Sequence, residues 1–476
     1  MKKLNILHIS AECYPVAKVG GLADVVGALP KYLEQAGANC AVMMPCYLTK
    51  FLETEVFDTV WEGYVQLGRH SFGYKIMHER SRKLGFDLFM IAIQGLFDRS
   101  DVYGYRDDTE RFTAFQIASL DWVSQWSEKP DVIHCHDHHT GLIPFMMQFC
   151  YKYQSLSKIP SVFTIHNGMY QGMFSWSQAE YIPHYDPWKA GLIDWRGTIN
   201  PMASAIKCAW KFTTVSESYL QELANGNMNG IEELVRIEWH KAMGILNGID
   251  TDVWNPEKDK YLDFTFKAAK VKDGKAKNKR KICEAFHLDV NKPLIVFIGR
   301  LANEKGADLL PEIFGRSLQE FKRQFTGIVL GNGDSSVENS IEILKGYYPG
   351  YFNAYIGYNE ALAHLLYAGA DFLIMPSRTE PCGLNQMYAM KYGTVPIVRA
   401  VGGLKDTVID LGDPGGYGIR FVQANGWDGA YSIYRAIQLY QNEASMDEAR
   451  RRMMALDFSW ERSANKYKMM YRELAK

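Results

Sequence analysis

Four stretches of the chain bring fixed charge or close backbone amides to the point where a strand-like run gives way to a helical pattern. In Lys18-Val-Gly-Gly-Leu-Ala-Asp24, the glycines Gly20 and Gly21 let backbone amides approach an anion at a helix start, and Lys18 adds a point charge. The same glycine pair also makes an ordinary tight turn. No GxGxxG occurs there, which argues against a nicotinamide dinucleotide. Arg300 and Lys305 bracket the turn after LIVFIG, where a phosphate would sit, although surface salt bridges to Glu304 or Asp308 would also account for them. Glu380-Pro-Cys-Gly-Leu384 opens a helix near Asn385. A carboxylate held there can accept hydrogen bonds from sugar hydroxyls, or simply stabilise the helix start through its dipole. Gly402-Gly403-Leu404 repeats the glycine pair at a further strand-to-helix turn, a second possible anion cradle.

The run His134-Cys-His-Asp-His-His139 invites a metal reading. Strand alternation sends His134 and His136 to one face and Cys135 to the other, so the set does not converge on an ion. Structural histidines at a strand end are expected instead, and no metal. Aromatic patches at 170–176, 185–188 and 347–352 could stack on sugar or base faces, but most of these rings are expected in the core.

The elements that must position these groups alternate. Ile6–Ile9, Cys40–Met44, Val132–His134 and Ser161–Ile165 read as strands in the first half. Leu294–Ile298, Thr326–Leu330, Phe352–Ile356, Asp371–Met375 and Val395–Val398 do so in the second. Each precedes a Gly-containing turn and a helical pattern, the signature of βαβ units and a largely parallel sheet. An α/β chain of two doubly wound, Rossmann-like domains follows, with the boundary near 245–275. Ligands of such sheets bind beyond the carboxyl ends of the strands. One site in a cleft between two facing domains is therefore the economical arrangement. The basic run VKDGKAKNKRKICEAF reads as a solvated helix start.

At 476 residues the chain has room for two or three domains and needs no disulfide or structural metal for stability. A formal net charge of −1 argues against nucleic-acid binding through a bulk positive field. The eight cysteines are scattered without a CxxC pair, which reads as reduced thiols in a cytoplasmic protein. Asn5, His8 and Glu12 interrupt the apolar start too early for a signal peptide. Asp87 and Gln94 break the most apolar stretch, so no membrane partner is expected.

Taken together, KVGGLADVVGALPK, HCHDHHTGL, FTIHNGMYQG, GILNGIDTDVWNP, GRLANEKG, IGYNEAL, PSRTEPCGLNQMYAMKYGTVPIVR and VGGLKDTV follow the order found in bacterial glycogen synthases and plant starch synthases. The resemblance runs from Ile6 to the final SWERSANKYKMMY stretch and so covers nearly the whole chain. It implies a GT-B fold with an N-terminal domain over 1–250, a linker over 251–275 and a nucleotide-sugar domain over 276–455. A last helix, 456–476, is expected to cross back to the N-terminal domain. The activity implied is that of a retaining glucosyltransferase of family 5, which moves glucose from ADP-glucose to the non-reducing end of an α-1,4-glucan.

Carried over residue by residue, Lys18 and the Gly20–Gly21 backbone would contact the donor phosphates. Arg300 and Lys305 look like the diphosphate pair, and Tyr358 is similar to the tyrosine that stacks on adenine. His166, Asn247, Glu380 and Cys382 match positions lining the donor glucose, Gly383 and Leu384 continue that loop, and Asp137 matches an aspartate implicated in activity. Val19, Val401, His138 and Gly168-Met169 depart from common family residues, Tyr388 stands as is common in this family where related glycosyltransferases carry a second glutamate, and the charged groups are kept. No cofactor or metal is implied. The competing readings are a UDP-glucose enzyme or one with another acceptor, a phosphorylase-like enzyme carrying pyridoxal phosphate, and a non-catalytic glucan- or nucleotide-binding protein.

Overall fold

Ser161–Ile165 is buried along its whole length and Leu294–Ile298 along all but its last residue, because helices cover both faces of the parallel sheets they join. The computed structural model describes residues 3–226 and 229–476. The chain divides into one unit of Met1–Asn247 with Trp460–Lys476 and a second of Gly248–Ser459.

The first unit is built on nine strands. They are β1 (Asn5–Ile9), β2 (Asn39–Pro45), β3 (Phe57–Leu67), β4 (His70–Glu79), β5 (Asp87–Ile93), β6 (Val132–His136), β7 (Ser161–Ile165), β10 (Lys211–Thr214) and β11 (Ala242–Gly244), in the order β11-β10-β7-β6-β1-β2-β5-β4-β3. β8 (Asp194–Trp195) and β9 (Thr198–Ile199) form a separate small hairpin. Within the nine-stranded sheet all pairings are parallel except those of β3 and β4 at one edge. The sequence shows no clear strand signal over 57–79, because β3 is exposed through most of its length and alternates only towards its end.

The second unit holds an all-parallel sheet ordered β14-β13-β12-β15-β16-β17. Its strands are β12 (Leu294–Ile298), β13 (Thr326–Gly331), β14 (Phe352–Ile356), β15 (Phe372–Met375), β16 (Val395–Arg399) and β17 (Ile419–Phe421). Strand order reverses between β1 and β6 in the first sheet and between β12 and β15 in the second. These are the points where such sheets leave a crevice for ligands.

Three expectations need correction. Residues 251–275 are not a bare linker: Leu262 and Phe266 are buried in the second unit's core, and Trp254 stacks on His364 and Tyr388. The basic run is the helix Val271–Phe286, and two of its lysines are buried rather than solvated. Lys275 Nζ donates to the carbonyls of Tyr367, Ala368 and Tyr392 and to Thr394 Oγ1, while Lys279 pairs with Asp371 at 2.7 Å. The aromatic patches are mostly not core. Phe174 and Phe352 are buried, but Tyr170, Trp188 and Tyr347 are exposed.

The helix Trp460–Leu474 returns to the first unit, where Ser463 Oγ donates to the Leu246 carbonyl at 2.6 Å and Tyr471 reaches His134. Among the described residues no helix is long and apolar enough to cross a membrane.

Candidate functional site

In the first unit the candidate residues follow the carboxyl ends of β1, β6, β7 and β11. After β1, Lys18 pairs with Asp24 at 2.6 Å and remains about half exposed. Gly20 is the N-cap of the helix Gly21–Gln35, and its amide is not open to an anion as the sequence suggests. Instead, Oε2 of buried Glu12 accepts from Val19 N at 2.5 Å and from Gly20 N at 2.9 Å, and Tyr103 donates to Oε1. A carboxylate of the chain thus occupies part of the anion nest. A Cβ at Gly20 or Gly21 would meet nothing within 4 Å, so there is open space beside both glycines.

Asp137 follows β6 with φ 57° and ψ 175°, a conformation nearly confined to glycine and worth about 1–3 kcal/mol of strain for another residue. Its Oδ1 accepts from the amide of His166, which follows β7, at 2.8 Å, and this bond fixes the two loops together. Burial pushes the Asp137 carboxyl up to about 7, with the Glu12 charge adding to the rise and the His166 and Asn167 amides opposing it. Asn247 lies beyond β11, buried, and its Oδ1 has no hydrogen-bond partner among the described residues. An orphaned buried acceptor is costly and marks a place where a ligand hydroxyl would be satisfied.

His134 and His136 do share one face, and His8 on the neighbouring strand joins them. His8 Nδ1 lies 3.1 Å from His136 Nε2, and His136 Nδ1 lies 3.0 Å from His166 Nε2. His134 is bonded to Tyr471 OH at 2.7 Å and to Thr164 Oγ1 at 2.6 Å. Burial lowers all four imidazoles, His8 and His166 to about 3, so the rings are neutral near pH 7. Nitrogens of His8, His134 and His136 approach within 4.8 Å of one another, a spacing that a metal could exploit. Among the described residues, only His8 Nε2 of their six nitrogens lacks a hydrogen bond, so the group is a bonded stack and not a set of open ligands. His139 stacks on Tyr103 at 4.5 Å, a packing role.

In the second unit the candidates follow β12, β14, β15 and β16. Lys305 Nζ donates to both oxygens of Glu380 at 2.7 Å, and Ser377 Oγ donates to the same carboxylate at 3.0 Å. Glu380 is buried and Lys305 partly exposed. Arg300 is exposed and holds Glu304 at 2.6 Å. Of the salt bridges considered from sequence, that is the one formed; Asp308 pairs with Arg378.

Gly402 and Gly403 are required by close approach. A Cβ on Gly402 would lie 2.2 Å from the Glu380 carbonyl oxygen, and one on Gly403 would lie 2.1 Å from that of Cys382. The Gly403 amide donates to the Glu380 carbonyl at 3.0 Å, so this pair buttresses the Glu380 loop before it could cradle any anion. Gly383, at φ 72°, turns the loop so that Leu384 caps the helix Asn385–Lys391, with Cys382 buried beneath. Tyr358 stands 82% exposed after β14, a ring face accessible to a base.

Sequence reasoning missed four contributors. Glu12 gave no signal because its partners are two backbone amides and a tyrosine far along the chain, and Ser377 gave none because a serine three residues before an acid is an ordinary loop pattern. In the sequence His8 marks only a break in the apolar start. Arg399 ends β16, and its guanidinium donates to the carbonyls of Ser377 at 2.7 Å and Arg378 at 2.6 Å, bracing the loop that carries Glu380. A cavity of about 350 Å³ opens at the amino end of β1 and β2, beside Trp122 and Trp126. It holds none of these groups, so the chemistry and not the volume locates the site.

Residues 5–237 match the family described as starch synthase catalytic domain, and residues 278–446 match glycosyl transferases group 1. A glycogen synthase of Flavobacterium johnsoniae is 51% identical over 468 residues, 98% of each chain. One from Geobacillus stearothermophilus is 37% identical over 486 residues, covering 99% of this chain and 98% of that one. The catalytic domain of starch synthase IV from Arabidopsis thaliana, bound to ADP and acarbose, superposes with a TM-score of 0.88 at 31% identity, covering 100% of both chains. A sucrose-phosphate synthase from Thermosynechococcus elongatus shares the fold, with a TM-score of 0.62 at 18% identity over 99% of both chains. The two Rossmann-like units are those of the GT-B fold.

Proposed function

The chain belongs to the glycogen synthase family of glycosyltransferases, and from that premise we propose that it moves glucose from ADP-glucose to the non-reducing end of an α-1,4-glucan with retention at the anomeric carbon. The observation that carries this reading is the Lys305–Glu380 pair, set beside exposed Arg300 where the strand order of the second sheet reverses. The ADP held by the Arabidopsis neighbour supports an adenine nucleotide, and the exposed Tyr358 ring supplies a surface on which adenine can stack.

Breaking the glucose–phosphate bond gathers negative charge on the departing diphosphate and positive charge on the sugar. Fixed cations at the leaving group therefore stabilise the transition state more than the ground state. Arg300 and Lys305 of the second unit fill that role. Each is held by a carboxylate of the chain, respectively Glu304 and Glu380, until the diphosphate offers a stronger partner. Glu380, freed on one side, accepts from glucose hydroxyls while Ser377 keeps it in place. Asn247 Oδ1 accepts from the sugar, satisfying its orphaned atom. No carboxylate nucleophile is assigned. The attacking hydroxyl approaches the face the diphosphate leaves, and the departing phosphate takes its proton.

We propose no cofactor and no metal, so the purified protein is expected to be colourless and to keep its turnover in EDTA. The eight cysteines are all unpaired, which fits a reducing compartment, and the cytoplasm is the one proposed. The decisive experiment offers ADP-, UDP- and GDP-glucose with glycogen and measures both nucleotide release and chain extension. ADP release matched by glucan growth is expected. Extension from UDP-glucose alone would overturn the donor, and glucan binding without nucleotide release would overturn the activity.

A further inference from the structure

We propose that His136 is a positioning residue that sets the tautomer of His166, through a row of imidazoles beginning at buried His8, so that His166 meets the donor sugar with an N–H at Nδ1. This rests on the reading of His166 as a group lining the donor glucose.

A neutral imidazole carries one donor and one acceptor nitrogen. All three rings are neutral in this buried setting. The contacts His8 Nδ1···His136 Nε2 at 3.1 Å and His136 Nδ1···His166 Nε2 at 3.0 Å each need one donor and one acceptor. Only two arrangements satisfy both. The protons lie on Nδ1 of all three rings, or on Nε2 of all three. One ring cannot change alone without setting two N–H groups or two lone pairs against each other.

The inner end of the row decides between them. His8 Nε2 is buried and has no hydrogen-bond partner among the described residues. With protons on Nε2, that atom would be an orphaned N–H inside the protein. With protons on Nδ1 it is a bare acceptor, the kind of orphan that folded proteins tolerate more readily. The Nδ1 arrangement then leaves an N–H at the outer end, on His166 Nδ1, which has no hydrogen bond among the described residues and is free to reach a substrate oxygen. Asp137 fixes the backbone of the same residue by accepting its amide, so both the place and the polarity of His166 are set from behind. His134 is excluded from the row because both its nitrogens are committed to Tyr471 and Thr164.

The test reads the tautomer directly. Long-range nitrogen–proton NMR on the full chain, labelled with 15N-histidine and free of substrate, should show His166 protonated at Nδ1, its signal identified by loss in His166→Gln. An Nε2–H signal for His166 would overturn the proposal. Two variants separate a positioning role from packing. His136→Asn keeps an amide donor near the Nδ1 position and should retain the His166 signal and most of the turnover. His136→Gln keeps only the contact toward His8, and should lose the signal and lower kcat about tenfold with KM little changed, the loss of roughly one net hydrogen bond. Equal kcat in His136→Gln and wild type would also overturn it, as would equal damage in the two variants. Because the tautomer is read without substrate, a chain that transfers no glucose would fail the functional reading while the NMR result still decides the row.

Discussion

Replacing Asp137 by Asn should make the protein more stable at pH 8 and leave it nearly unchanged at pH 4. The carboxyl is buried, and its value rises from 3.8 to about 7, chiefly through that burial. Between those values the folded chain holds a proton that the unfolded chain has released, so wild-type stability falls as pH climbs through the window and levels off above it. At about 1.4 kcal/mol per unit, the full rise amounts to about 4 kcal/mol at pH 8. Asn removes the ionisation while its side-chain oxygen can still accept from the His166 amide, and it tolerates positive φ better than most residues. Urea unfolding of both proteins at pH 4, 5, 6 and 8, followed by tryptophan fluorescence and circular dichroism, measures the difference. The two stability curves should diverge from about pH 4 to about 7 and then run parallel. Curves parallel throughout would refute the claim that burial of this carboxylate opposes the fold. If Asp137 takes part in activity, as the family resemblance implies, the stabilised variant is also expected to lose turnover, the trade found where a strained group is kept for function.

Lys305→Ala removes the partner of Glu380 and a cation for the departing diphosphate, so kcat should fall about 10²–10³-fold with the circular dichroism unchanged; wild-type turnover would remove the cation assignment. Gly403→Ala drives a Cβ against the Cys382 carbonyl and should cost more than about 2 kcal/mol in urea unfolding, whereas Gly20→Ala, with open space around it, should leave stability within about 0.5 kcal/mol. Asn247→Ala deletes an unsatisfied acceptor, so the apo protein should gain up to about 1 kcal/mol while KM for the donor rises several-fold, measured by thermal unfolding and initial rates.

Much of the second unit could be read directly from the chain. The strands Leu294–Ile298 and Phe352–Ile356 carry the expected bounds; the first is a continuous apolar run covered on both faces, and each is closed by a glycine. The edge hairpin of β3 and β4 gave no such signal, since an exposed strand needs little apolar residue. Lys275 shows a different limit. A lysine in a basic run reads as solvated, yet three carbonyls and a hydroxyl brought from positions 367 to 394 hold it in the core.

The same division runs through the site. By itself the sequence determined which chemical groups stand at the strand ends: the cations Lys18, Arg300 and Lys305, the acids Asp137 and Glu380, and the glycines that let backbone come close. Side-chain type and local spacing carry that information. Only the tertiary structure decided what each group faces. It set Glu12 into the amides of Val19 and Gly20, clamped Lys305 onto Glu380, and lined His8, His136 and His166 into one row from three separate strands. Hydrogen bonds and burial depend on distance in space, and the order of strands in a sheet is not the order of residues along the chain.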